Sequence, residues 1–264
     1  MTAIGPSRWR CSHYDPYCGA RLMTLRRRVG RLCVPLVVVL GAVVLTSCVA
    51  PAPPQVGAGT IMGPSELTAD QIVAYVHSVQ ATYGRVWRAS VDEHTLAQLF
   101  IDEGAAENVR GDIAFCQSIH ETGWFEFGGY SQPQDNNFGG IGAFAGSDRY
   151  MTQPTAQLGV RAQIQHLRNY ADATSRAANL ANPLVLRPHY GAAAYDSFVY
   201  KGAAPTWIDL NGKWAVPGGT YGQNILRICS DIRASAGLPR LTSADIGATS
   251  DPATDGPVQA TNRS

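Results

Sequence analysis

The chain has 264 residues, room for one large domain or two small ones, and 45% of them are hydrophobic, the usual share for a globular protein. Charged residues make up 16% and the formal net charge is +1, but seven of the 21 basic residues and one of the 20 acidic ones (Asp15) precede Cys48, so the remainder holds 14 basic against 19 acidic residues, a net of −5. That balance excludes a basic surface for gripping nucleic acid.

Residues 1 to 22 carry no clear periodicity, and Met23 is the better candidate for the true start. It leads into Arg26-Arg27-Arg28 and Arg31, then an apolar run from Leu32 to Leu45. A basic segment feeding a short apolar run reads as an export signal over residues 1–47, with a permanent membrane helix as the alternative. The run ends in Leu45-Thr46-Ser47-Cys48, which resembles the lipobox of bacterial lipoproteins. That resemblance implies lipidation of Cys48 and an anchor on the outer face of the cell membrane; the rival is a plain secretory peptide with Cys48 incidental. Acyl chains contribute about 0.8 kcal/mol per buried methylene, so several of them hold a protein stably on a membrane surface. Residues 48–67 read as a tether, because Val49 to Gly63 is rich in Pro, Ala and Gly and has too few large apolar residues for a core.

The folded body is expected over residues 68–240. Leu67-Thr68-Ala69-Asp70-Gln71 has the form of a capping box, and Ile72, Tyr75, Val76, Val79 and Tyr83 follow at helical spacing. A second amphipathic segment, Asp92 to Ala105, sets Leu96, Leu99 and Phe100 on one face and acidic residues on the other. Both are expected to support a third helix, Ala114 to His120, buried through Ile113, Cys116 and Ile119 and stopped by Gly123 just after Glu121. The negative end of the helix dipole and the apolar Trp124 and Phe125 disfavour an ionised carboxylate there, so the pKa of Glu121 is expected above the usual value of about 4.3. A carboxyl still protonated near neutrality is what a general acid needs.

Phe125 to Gly146 is glycine-rich without helical periodicity and reads as a long ordered loop or short hairpin. A long helix is expected from Thr155 to Ala177, burying Val160, Ile164, Leu167 and Ala171 and turning Arg161, Gln165 and Arg168 away. Residues 178 to 218 read as irregular, broken by Pro183, Pro188, Pro205 and Pro217. Their Trp207, Trp214, Tyr190 and Tyr195 either fill the core or offer flat aromatic faces on which a ring ligand stacks. Tyr221 opens a last helix whose face is Ile225, Ile228 and Ile232; Gly237 and Pro239 close it, and residues 241–264 are expected to be a disordered tail.

Two stretches stand out together. Gln117-Ser118-Ile119-His120-Glu121-Thr122-Gly123-Trp124, followed by Asn136-Asn137-Phe138-Gly139-Gly140-Ile141-Gly142, resembles the glucosaminidase family of peptidoglycan hydrolases. These are lysozyme-superfamily enzymes, glycoside hydrolase family 73-like, whose usual pattern reads Gln-x-x-x-Glu-Ser-Gly-Trp and then Asn-Asn-Leu-Phe-Gly-Ile-Lys. The similarity continues in Gly159 to Leu167 and in Trp214 to Ile225, giving four blocks in order. The resemblance implies a mainly α fold (α+β lysozyme-like) in which the glycine-rich loop or short hairpin lines a cleft. It also implies an endo-β-N-acetylglucosaminidase that cleaves β-1,4 bonds of peptidoglycan with Glu121 as acid. Asn137 and the backbone around Gly140 and Ile141 become candidates to hold sugar hydroxyls or the N-acetyl group, Trp124 and Trp214 further substrate contacts, and Tyr221 a group that orients the N-acetyl or the attacking water. Gly139 and Gly142 depart from the pattern, standing where it has Phe and Lys.

Two-carboxylate glycosidase chemistry places a second Asp or Glu roughly 5 to 9.5 Å from the first. Glu126, Asp135 and Asp148 lie between Glu121 and the long helix, and Asp148 is the choice because Glu126 is too near in sequence to reach across. Where no carboxylate faces Glu121, the substrate's own N-acetyl oxygen serves as nucleophile with Tyr221 steadying it, and this route is preferred. Cys116 and Cys229, both expected in the core, form either a disulfide or two buried thiols. His120-Glu121 begins like the zinc-binding His-Glu-x-x-His helix, but Trp124 holds the place of the second His, so no metal or cofactor is expected, and His120 and His166 read as hydrogen-bonding groups around the site. The expected partners are peptidoglycan glycan strands, and a membrane reached through the lipid anchor, for a monomeric protein. A cysteine peptidase lacks a recognisable His partner for Cys116, and a lytic transglycosylase lacks its common Gly-Leu-Met-Gln element after Glu121. The rival from another class is a non-catalytic glycan-binding lipoprotein.

Overall fold

The computed structural model describes residues 57, 59–129, 131–142, 151–185 and 191–247. The expected export segment, Cys48, Asp148, Tyr190 and the residues beyond 247 lie outside the described residues. Helix α1 (Ala69–Tyr83) begins at the expected capping box, in which Thr68 and Gln71 satisfy each other's backbone N–H, and stops at Gly84 in the left-handed conformation. Helix α2 (Glu93–Glu107) starts where Asp92 accepts from the Thr95 N–H. Helix α3 (Gly111–Thr122) is buried at every residue from Gly111 to Ile119 and ends at Gly123, φ 59°, as its sequence required.

A helix buried all round needs cover on every side. Helix α2 supplies one side of α3, and α6 (Tyr221–Ser235), with Ile225, Ile228 and Ile232 facing inward, supplies another. This corrects the expectation that the first two helices carry α3, since α1 rests chiefly on α2 and α6. Helix α4 (Ala156–Ala171) packs along α2 and stops six residues short of the expected end. The Asp172 carboxylate takes the N–H of Thr174 at 2.8 Å and its hydroxyl at 2.7 Å, a local turn that competes with another helical turn.

The polar side of α4 is also not the one periodicity predicts. Arg161 holds Glu103 through two hydrogen bonds of 2.9 Å and Arg168 holds Glu107 at 2.5 Å, with both carboxylates nearly inaccessible on α2. Gln165 is buried as well, its amide spanning Asn182, Pro183 and Val185. Charges that look solvent-directed on each helix alone instead cancel across the α2–α4 interface, where each is desolvated and compensated by its partner.

Both ends of the body extend past the expected boundaries. Ile61, within the expected tether, is fully buried; its N–H reaches the Pro205 carbonyl at 3.0 Å and its carbonyl takes the Arg110 N–H at 2.9 Å. Leu241 is buried against α6, and Thr242 caps the short helix α7 (Ser243–Ile246), so the order reaches Gly247. Within the expected irregular region, α5 (Ala192–Asp196) carries Tyr195 into the core, where its hydroxyl meets Ser175 at 2.7 Å and donates to the Gln165 carbonyl at 3.1 Å. Trp207 is likewise core, its indole N–H bound to the Thr60 carbonyl at 3.0 Å. Neither ring is a sugar platform.

Among the described residues, β structure is limited to isolated bridges, and no helix is long and apolar enough to cross a membrane. Of the two readings for Cys116 and Cys229, the structure holds free, buried thiols. Burial, then hydrogen bonding to Cys229, pushes the Cys116 thiol well above its ordinary range, and the thiol donates to the Asp112 carbonyl at 3.2 Å.

Candidate active site

Two helix ends converge. Helix α3 delivers Glu121, half-buried, at its last turn, and α6 opens with Tyr221, 4% exposed. The Tyr221 phenol donates to Oε1 of Glu121 and accepts from the Gln117 amide Nε2 at 2.8 Å. Gln117 precedes Glu121 by four residues on the same helix, the spacing that stacks side chains on one face. Burial first, and then the neighbouring Glu121, push the Tyr221 phenol well above its ordinary pKa, so it keeps its proton and serves as a donor.

The glycine-rich turn comes down on the other carboxylate oxygen. Gly140 has φ +61°, and a Cβ there would stand 3.0 Å from Oε2 of Glu121, so bare backbone fits where a side chain would not. The turn is held by its own residues. Asn137, 3% exposed, accepts the Ile141 N–H at 2.9 Å and donates to the Ile141 carbonyl at 2.9 Å, while Asn136 bonds to Ser90 and to the Gln153 carbonyl. Trp214, half-buried, donates its indole N–H to the Gly139 carbonyl at 3.1 Å. Met151 N–H closes the base of the loop on the Ile141 carbonyl at 3.3 Å.

Several expected substrate contacts are therefore corrected. Asn137 and the backbone of Ile141 bond to each other. Ile141 lines an apolar cavity of about 250 Å³ together with Met151, Ala162, His166 and Phe198. Trp124 has φ 64° and is 7% exposed in the core, its ring 6.2 Å from that of Tyr75. The left-handed backbone that follows the α3 stop folds this ring inward, so it offers no face to a glycan. Gly140 lies beside Glu121, and Trp214 is bonded to the turn through Gly139. His120 sits edge-on to Tyr221 at 5.5 Å, while His166 packs among Trp214, Tyr170 and Phe198 at 5.0–5.1 Å.

Of the candidates for a second carboxylate, Glu126 and Asp135 are engaged by other partners, and Asp148 lies outside the described residues. Glu126 accepts from Arg85 at 2.8 Å and from the Val86 N–H at 3.1 Å; burial alone would raise its pKa, but these donors hold it below the usual carboxylate range. Asp135 takes the Gln132 N–H at 2.8 Å and the Thr152 hydroxyl at 3.2 Å, an ordinary cap. A group that sequence reasoning missed is Gln163 on α4, fully buried, which bonds to Gln117 at 2.8 Å. Its signal was a polar residue beside the apolar positions 160, 164 and 167.

Comparison with known families finds that the glucosaminidase family, described as mannosyl-glycoprotein endo-beta-N-acetylglucosaminidase, matches residues 97–234, just over half of the chain. The chain belongs to the glucosaminidase family. The matched span contains Gln117, Glu121, Gly140, Gln163 and Tyr221, so the whole convergence lies inside the glucosaminidase region, while α1 and the first residues of α2 lie before it. This glucosaminidase domain is mainly helical, as its resemblance implied. An uncharacterized protein of Borreliella burgdorferi (strain ATCC 35210 / DSM 4680 / CIP 102532 / B31) is 34% identical over 122 residues, which are 46% of this chain and 54% of that relative. The chain thus spans about half the length of the curated relative it matches. No solved structure matches it.

Proposed function

We propose that this glucosaminidase is a glycoside hydrolase, an endo-β-N-acetylglucosaminidase that cleaves β-1,4 bonds of peptidoglycan at N-acetylglucosamine. The observation that carries the reading is Glu121 held by Tyr221 on one oxygen and overlaid by bare backbone at Gly140 on the other. Because the phenol occupies Oε1, the transferable proton sits on Oε2. That proton passes to the leaving glycosidic oxygen as the bond from the anomeric carbon breaks. With Glu126 tied to Arg85 and Asp135 in a cap, the preferred nucleophile is the substrate's own N-acetyl oxygen, which bonds the anomeric carbon as the leaving group departs. Water then opens that ring and returns a proton to Glu121. Asp148 stands as the two-carboxylate alternative.

The same reading places the protein outside the cytoplasm. Residues 1–47 act as export signal, and Leu45-Thr46-Ser47-Cys48 supports acylation of Cys48, so a monomeric domain hangs from the outer face of the membrane within reach of glycan strands. Mass spectrometry of purified peptidoglycan digested with the protein tests the activity. A reducing N-acetylglucosamine end is expected; an anhydro-muramic end identifies a transglycosylase instead, and unchanged glycan a binding protein.

A further inference from the structure

A chain of buried amides runs from α4 to Glu121, and its polarity can be read from one end. Gln163 bonds through Nε2 to two acceptors, the Ala114 backbone carbonyl at 3.2 Å and the Gln117 Oε1 at 2.8 Å. A backbone carbonyl only accepts, so the amino end of Gln163 has to face it, and both of that group's hydrogens are then used. The Gln163 Oε1 faces the Ser118 hydroxyl at 3.1 Å. It follows that Gln117 presents its oxygen to Gln163 and its amino group to Tyr221. A phenol oxygen that receives a donor from Gln117 keeps its single proton for the remaining neighbour, Oε1 of Glu121.

We propose that Gln117 and Gln163 are positioning residues that set the direction of this chain, so that Tyr221 always donates to Glu121 and the Glu121 proton is always carried on the oxygen beside Gly140. The inference rests on the proposed glycosidase reading. Neither glutamine touches substrate, since both are fully buried. Gly139 belongs to the same arrangement. A Cβ at this position would stand 2.9 Å from the Gln163 Cδ and 3.1 Å from its Oε1, so a side chain there pushes Gln163 out of its place. The departure at Gly139 from the family's usual Phe is thereby explained: the glutamine fills the space a side chain at 139 would need.

The test is a double-mutant cycle on soluble, uncrosslinked peptidoglycan strands with the full chain, measuring kcat and KM separately. Gln117→Met and Gln163→Met are each expected to lower kcat about 10-fold or more, the scale of a misdirected hydrogen bond to a charged group, with KM changed less than about two-fold. In a Tyr221→Phe background the same substitutions are expected to change kcat less than about two-fold further, because the phenol they direct is gone. A general loosening of the core would give multiplying losses in that background, and that result overturns the proposal, as does full kcat in either single variant. Should Gln117→Met fail to fold by circular dichroism, Gly139→Ala, which only crowds Gln163, is expected to show the same kcat loss and the same silence in the Tyr221→Phe background. Glu121→Gln run in parallel separates the two readings. Cleavage that depends on Glu121 but not on the glutamines removes the relay and leaves the glycosidase standing, whereas cleavage retained by Glu121→Gln removes the acid and the relay with it.

Discussion

Tyr221 donates its phenolic proton to Glu121, a residue 100 positions earlier in the chain, and the contact joins the first turn of α6 to the last turn of α3. The phenol is also the acceptor for the fully buried Gln117 amide. Tyr221→Phe therefore leaves a buried N–H without a partner and frees the carboxylate to turn. The expected outcome is about 1–3 kcal/mol of lost stability by chemical denaturation, together with a fall in kcat of about 10-fold or more.

Asn137→Ala removes both side-chain bonds to Ile141 that hold the turn over Glu121. Stability is expected to fall by about 1–2 kcal/mol, and activity to fall further than that loss alone explains, because Gly140 no longer keeps its place beside Oε2. Hydrogen exchange at the Ile141 amide checks the mechanism, with faster exchange expected in the variant.

Glu107 accepts from Arg168 at 2.5 Å and from the Ala181 and Asn182 N–H groups at 3.2 and 3.3 Å. Glu107→Ala leaves the half-buried Arg168 guanidinium with only the longer Asp172 contact at 3.9 Å and strands two backbone donors. A loss of about 3–5 kcal/mol is expected, read as a lowered melting temperature, with residual activity per folded molecule little changed because α2 carries none of the proposed chemistry.

Burial pushes Tyr75 and Tyr195 up to about 12, and burial with Glu121 pushes Tyr221 higher than its ordinary range. The folded protein thus keeps protons that the unfolded chain releases near pH 10. The stability these groups contribute is fully present below about pH 10 and is lost as pH rises from there through the folded-state values. Denaturant melts from pH 8 to 11.5 are expected to fall gently from about pH 8.5, where the unfolded chain releases the thiol proton that buried Cys116 keeps, and more steeply beyond about pH 10, with a shallower fall there in Tyr195→Phe.

Cys116 and Cys229 are fully buried as free thiols. Alkylation followed by peptide mapping is expected to label neither in the native protein at pH 8 and both after unfolding. A loss of two mass units with no labelling in denaturant would mean a disulfide instead.

Much of the architecture was legible because its signals are local. The Thr68 capping box, the Gly123 stop and the Ile225-Ile228-Ile232 stripe each depend on residues within a few positions, and each appears as read. Glu121 and Tyr221 stand out through the resemblance of the surrounding blocks to the glucosaminidase family, and the structure joins the two by a hydrogen bond. What failed depends on partners distant in sequence. Arg161 and Arg168 look solvated until Glu103 and Glu107 are seen facing them. Ile61 looks like part of a tether until Pro205 and Arg110 receive it. For Asn137 one sequence cannot distinguish an amide that serves its own backbone from one that serves a ligand, and only the bonds to Ile141 show the first role. Gln163 escaped notice because its role exists only through Ala114, Gln117 and Gly139, none of them adjacent.

The most direct measurement of the central claim is product release from purified peptidoglycan by Glu121→Gln, an isosteric change that keeps an acceptor for Tyr221 and removes the transferable proton. The account predicts an unchanged melting temperature within a few degrees and no new reducing ends above background. Reducing ends released at the wild-type rate would contradict it.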